Sequence, residues 1–298
     1  MIEIKPDGLG SSAYWANPFE EEEGATRSFS TFSTYREYLE HMFDQGPNIG
    51  KEGADVLLES WEMGIEAQKL FFNPIYRDKN IKRGDGSFVT FVPGFLGSEL
   101  VYYLPKLNLR GLNWDAKVLP SRYFFHVEPT ERMFDPLVKH SKERFKESGK
   151  KGHLIGHSKG GHVILCAAML RGEELAKYVD QIIIVDSPIP NKVNLQVGIS
   201  YLLAQIVFRG NDFGLTKLAR DVEGLESIEK RFRLTTLKVK SGKVIDGLHV
   251  GSVENQFEVE SSHPGAVHKP ENLLFIHSRL LRSVSDRYGK NGAYPQAA

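Results

Sequence analysis

The chain has 298 residues, 41% hydrophobic and 26% charged, a composition that excludes disorder throughout and supports a full-sized hydrophobic core. Its 38 Lys+Arg balance 38 Asp+Glu, so no overall basic field points to nucleic acid as a partner. Cys166 is the single cysteine, which excludes an intramolecular disulfide and fits a reducing compartment.

No stretch has the uninterrupted apolar length of a transmembrane segment. The opening MIEIKPDGLGSSAYW lacks the basic and apolar regions of a secretory signal, so the expected location is cytoplasmic. Residues 1–33 are polar, with an acidic run at 20–23, and read as a loosely ordered arm. Helical stretches follow at 35–45 and 54–72. In the second, Leu57, Trp61 and Ile65 recur at i, i+4 and i+8, which predicts a packed face.

The turn signal RGDGS precedes FVTFV (88–92), a buried strand by composition, and 116–119 is a second short strand. Asp135-Pro136 reads as a helix start, the carboxylate capping and proline in the first helical position. Leu137, Val138, Ser141 and Phe145 form that helix's packed face, and Gly149 closes it. Then come a strand at 153–155, a helix over 159–170 and the apolar strand QIIIV at 181–185. Apolar strands alternating with helices predict an α/β protein, a mostly parallel sheet covered on both faces. Residues 191–229 interrupt the alternation with a mostly helical pattern. Strands resume at 234–239 and 256–259. The final amphipathic helix spans 270–282, with Leu273, Ile276 and Leu280 on one face, and the chain is expected to fray after Ser285.

The densest chemical signal is Gly156-His157-Ser158-Lys159-Gly160-Gly161, a G-x-S-x-G nucleophile elbow between a predicted strand and a predicted helix. A serine on so sharp a turn needs small residues two positions either side, which Gly156 and Gly160 supply. The Lys159 backbone amide would be one oxyanion donor, while its side chain reads as a surface or supporting group. The loop Pro93-Gly94-Phe95 directly after FVTFV is where the second donor must lie, and the Phe95 amide is the candidate. The chemistry orders the chain as serine, acid, histidine. His263 lies between the last strand and the last helix and is the leading base. His268 is its nearest rival, and His277 reads as a surface or packing residue. Two carboxylates could orient the base: Asp246, in a turn after the 234–239 strand and favoured, and Asp186, at the end of QIIIV.

These motifs together resemble the α/β-hydrolase superfamily, in its bacterial lipase- and esterase-like branch. The resemblance covers residues 84–281 and rests on GDGSFVTFVPGFLGS, GHSKGG and IDGLHVGSVENQFEVESSHPGAVHKPENL. It implies an α/β-hydrolase fold over residues 81–285, with a helical lid at about 191–229, preceded by an arm and helical extension (1–80) and followed by a tail (286–298). By carry-over Ser158 is the nucleophile, His263 the base and Asp246 the acid, with Phe95 and Lys159 as the oxyanion amides. The acid turn DGxV is what ranks Asp246 above Asp186. The implied activity is hydrolysis of a small-molecule acyl ester or thioester through an acyl-serine, with no cofactor or metal. An acyltransferase or thioesterase with the same triad, and a non-catalytic binding protein on the same fold, are the alternatives.

Overall fold

The computed structural model describes residues 47–94, 97, 99–120, 130–187, 222–240 and 252–288. Six strands, β1 (Phe88–Val92), β2 (Asp115–Val118), β3 (Gly152–His157), β4 (Val179–Val185), β5 (Arg233–Val239) and β6 (Gln256–Val259), form one sheet in the order β2-β1-β3-β4-β5-β6. Every neighbouring pair is parallel. A parallel pair cannot be joined by a tight hairpin, so each connection must cross over a face. Helices α2 (Tyr103–Gly111), α3 (Phe134–Ser148), α4 (Lys159–Leu170) and α5 (Val222–Arg231) lie within those connections. α1 (Pro47–Phe72) precedes the sheet and α6 (Pro270–Tyr288) follows it.

Side chains alternate along each strand, and the two resulting sets make two cores. Phe88, Val92, Leu154, Ile182, Ile184 and Leu234 pack on one face with Leu137 of α3, Ile164 of α4 and Ile228 of α5. Val89, Phe91, Ile155, Ile183, Val185 and Leu237 pack on the other with Leu70 of α1, Leu109 of α2, and Leu273, Ile276 and Leu280 of α6. A strand buried on both faces has no polar side to alternate with, which is why FVTFV and QIIIV read as near-continuous apolar runs. On the second face Trp114 Nε1–H donates to His277 Nδ1 (2.9 Å), and His277 Nε2–H donates to the Lys82 carbonyl (2.7 Å). His277 is thus a packing residue, and burial lowers its pKa.

Three local expectations change. The α1 face of Trp61 and Ile65 is not packed: Trp61 is 71% exposed. The inward residues are instead Met63, Glu66, Ala67 and the fully buried Leu70. Apolar residues lie at helical spacing on both faces, so periodicity alone could not choose between them. Helix α3 starts two residues earlier than expected, at Phe134, with Met133 as N-cap and no side-chain capping bond. Asp135 instead faces Arg171 across 3.2 Å, because a 3-10 turn over Thr130–Met133 already sets the helix entry. Helix α6 continues past Ser285 to Tyr288. The expected arm, the 35–45 helix and most of the 191–229 insertion lie outside the described residues.

Gly149 ends α3 in the left-handed region (φ 67°), and a Cβ there would meet nothing within 4 Å. Gly149→Ala therefore isolates backbone strain from packing. Urea denaturation should show a loss of about 1 kcal/mol, the cost of forcing an L side chain into this conformation.

Candidate active site

Between β3 and α4 the chain turns on one residue, Ser158, with φ 54° and ψ −131°. A non-glycine residue in this region carries strain of roughly 1–3 kcal/mol and persists only where its surroundings enforce it. Here they do. The Ser158 amide donates to the Val185 carbonyl (3.1 Å), while its carbonyl accepts from the Gly161 amide (3.0 Å) and the Ser187 hydroxyl (2.7 Å).

The flanking glycines are required by contact. A Cβ on Gly160 would sit 1.9 Å from the Val92 carbonyl oxygen, and one on Gly156 would sit 2.5 Å from the Gly161 Cα. Gly94, in the loop leaving β1, is equally constrained: its Cβ would lie 2.6 Å from Ser158 Cβ and 3.1 Å from Ser158 Oγ. The loop after β1 therefore lies directly against the serine side chain. Phe95, the candidate oxyanion donor on that loop, falls outside the described residues. Lys159 opens α4, so its amide sits at a helix N-terminus, where the backbone dipoles favour negative charge. Its side chain is fully buried, which excludes the surface alternative and leaves the supporting one.

Asp186 follows β4 in a positive-φ conformation (φ 44°). Its amide donates to the Leu237 carbonyl (2.7 Å), and its Oδ1 accepts from the Val239 amide (3.0 Å). Backbone bonds to β5 thus hold the carboxylate. Its Oδ2 lies 2.6 Å from His263 Nδ1. His263 stands between β6 and the 3-10 turn Pro264–Val267. A carboxylate at Nδ1 fixes the tautomer of a neutral ring: Nδ1 donates, and Nε2 is the accepting nitrogen. The structure thus brings His263 to Asp186, whereas Asp246 lies outside the described residues. His268 is turned elsewhere, its Nε2–H donating to the Val101 carbonyl (2.7 Å).

Two residues that sequence reasoning passed over also meet here. His157, immediately before Ser158, stacks on His263 with ring centroids 4.9 Å apart. Its Nε2 lies 2.9 Å from the His263 carbonyl and its Nδ1 lies 2.9 Å from the Tyr102 hydroxyl. Burial first, and then the neighbouring His263, push its pKa well below the usual histidine value. The only sequence signal was the identity of the residue before the serine, and Tyr102 carried none. Among the described residues no cluster of His, Cys, Asp and Glu could hold a metal ion.

The six-stranded parallel sheet, with a strained serine turn after β3 and a histidine loop after β6, has the α/β architecture expected from the sequence. No family model matches the chain, and no curated protein matches it. Among solved structures it is similar to a Bacillus licheniformis lipase in its mature form (15% identity, 68% of this chain and 94% of that chain, TM-score 0.47). It is also similar to a metagenomic carboxyl esterase (11% identity, 72% and 80%, TM-score 0.46). A third is the ydeN gene product of B. subtilis (15% identity, 67% and 99%, TM-score 0.46).

The contact at Gly160 generates a direct test. Gly160→Ala drives a methyl group into the backbone of β1, so either α4 or the strand must shift. The melting temperature should fall by the equivalent of roughly 3 kcal/mol, at the upper end of overpacking costs. A melt indistinguishable from wild type would mean that the helix does not approach the strand this closely.

Proposed function

We propose that the chain is a serine hydrolase of carboxylic esters, with Ser158 as nucleophile, His263 as general base and Asp186 as the orienting acid. The observation that carries this reading is the 2.6 Å contact between His263 Nδ1 and Asp186 Oδ2, on a histidine whose ring stacks against the residue preceding Ser158. The lipases and esterases to which the chain is similar are in keeping with it.

In this mechanism His263 Nε2 accepts the Ser158 hydroxyl proton as Oγ bonds to the ester carbonyl carbon. The carbonyl π pair moves to oxygen. That oxyanion is held by the backbone amides of Lys159 and, by resemblance, Phe95. Collapse of the tetrahedral species re-forms the carbonyl and expels the alcohol oxygen, which takes the proton from His263. Water then repeats the sequence on the acyl-serine, releasing the acid and restoring Ser158. Asp186 stabilises the transient imidazolium and keeps Nε2 the basic nitrogen.

Asp186 replaces Asp246 as the favoured acid because its carboxylate faces the base while its other oxygen is tied to β5. By resemblance the apolar segment 191–229 is a lid, and an apolar lid favours ester or thioester substrates over small polar amides.

A graded series of p-nitrophenyl esters provides the test. Ser158→Ala should abolish turnover by about six orders of magnitude, and Asp186→Asn should lower it about 10⁴-fold, as triad losses do in serine hydrolases of other folds. Asp246→Asn should leave kcat within about twofold of wild type, as expected for a group outside the reacting constellation. Full activity in Asp186→Asn with a collapse in Asp246→Asn would return the acid to Asp246.

A further inference from the structure

The Tyr102–His157 pair has no place in the steps above, yet it spans three of the four segments that those steps use. Hydrogen-bond accounting fixes its direction. A carbonyl oxygen can only accept, so His157 Nε2–H must donate to the His263 carbonyl (2.9 Å). A neutral imidazole carries one N–H, so Nδ1 is an acceptor, and the Tyr102 O–H donates to it (2.9 Å). The Tyr102 oxygen then accepts from the Gly94 amide (3.4 Å). The chain runs without conflict from Gly94 N–H to Tyr102 O–H to His157 to the His263 carbonyl. Both side chains are buried, at 1% and 6% exposure, where a broken link cannot be repaired by bulk water.

We infer that Tyr102 and His157 are positioning residues: one buried hydrogen-bonded relay that holds the loop after β1, the serine turn and the base's own backbone in mutual register. This rests on the proposed serine chemistry. Gly94 at one end lies against Ser158, and His263 is the other end. His157 itself adjoins Ser158 in the chain. A second tie supports the same register, since His268 Nε2–H reaches the carbonyl of Val101, the residue before Tyr102. The relay runs in this direction with His157 neutral; a proton on Nδ1 would reverse the bond and turn the Tyr102 hydroxyl hydrogen away from the ring. The burial of His157 and its stacking on His263 both favour the neutral form. The relay acts on geometry rather than on bound substrate, so its loss should appear in kcat and leave KM nearly unchanged.

Tyr102→Phe keeps the ring packed against Phe91 and removes only the hydroxyl. His157→Gln keeps an amide donor of comparable reach and removes the Nδ1 acceptor. Wild type and variants are first titrated with a fluorophosphonate, so that kcat is expressed per labelled serine and misfolded protein drops out. Each variant should lose about 10- to 100-fold in kcat, the scale expected for misplacement of reacting groups by about an ångström, with KM within about twofold. The double variant should be no worse than the poorer single one, because both changes cut the same relay. Unchanged kcat per labelled serine in both single variants, or losses that multiply in the double variant, would overturn the relay while leaving the serine chemistry standing. Wild-type protein that neither takes up the phosphonate nor cleaves any ester would overturn the proposed function, and the relay with it.

Discussion

The site depends on how closely helix α4 approaches the sheet. Where α4 leaves β3, the space at Gly160 cannot take even a methyl group, because the Val92 carbonyl already fills it. That approach bends the chain at Ser158 and turns the serine toward the ends of the strands. It also brings the loop after β1 within contact of the hydroxyl through Gly94. The three glycines at 94, 156 and 160 therefore belong to one packing constraint. A side chain at any of them would separate two of the elements that build the site.

The same sheet supplies the carboxylate by another route. Asp186 leaves β4 in an uncommon backbone conformation, and its amide and Oδ1 both bond to backbone groups of β5, at Leu237 and Val239. One carboxylate oxygen is thus used to brace the side chain, and the other faces His263. In the proposed mechanism this bracing matters because an orienting acid acts through a fixed ring position, and a carboxylate free to rotate would leave the imidazole tautomer unsettled. His263 is held at its backbone by His157 and at its ring by Asp186, so both its direction and its height above the strand ends are set.

Much of this was legible in the sequence because it rests on local rules. Apolar runs bounded by turn signals marked the β1, β3, β4 and β5 strands. The elbow motif declared its own strand and helix, and α4 spans Lys159–Leu170 as read. Chain order picked out the His263 loop. What was not legible depends on contacts between distant segments. The contact of Asp186 with His263 depends on β4–β5 pairing, which no window around that aspartate contains. The exposed face of α1 was misread because its apolar residues satisfy helical periodicity on two sides, and only the body beneath decides which side is buried. Tyr102 sits 55 residues from His157, so the relay joining them leaves no local pattern.

Backbone strain offers a way to find such residues that motif reading lacks. Among the described residues only three non-glycine positions have positive φ: Asn113, Ser158 and Asp186. Asn113 is the expected kind, a short polar residue in a turn that tolerates this conformation. Ser158 and Asp186 follow adjacent parallel strands, β3 and β4, and each projects its side chain from a chain bent sharply at the strand's end. Strain at two neighbouring strand ends persists only if the surrounding hydrogen bonds over-determine both, and here they do. The inference runs from conformation to chemistry. The two strained positions on neighbouring strands carry a hydroxyl and a carboxylate, and the histidine bonded to that carboxylate stacks on the residue before the hydroxyl.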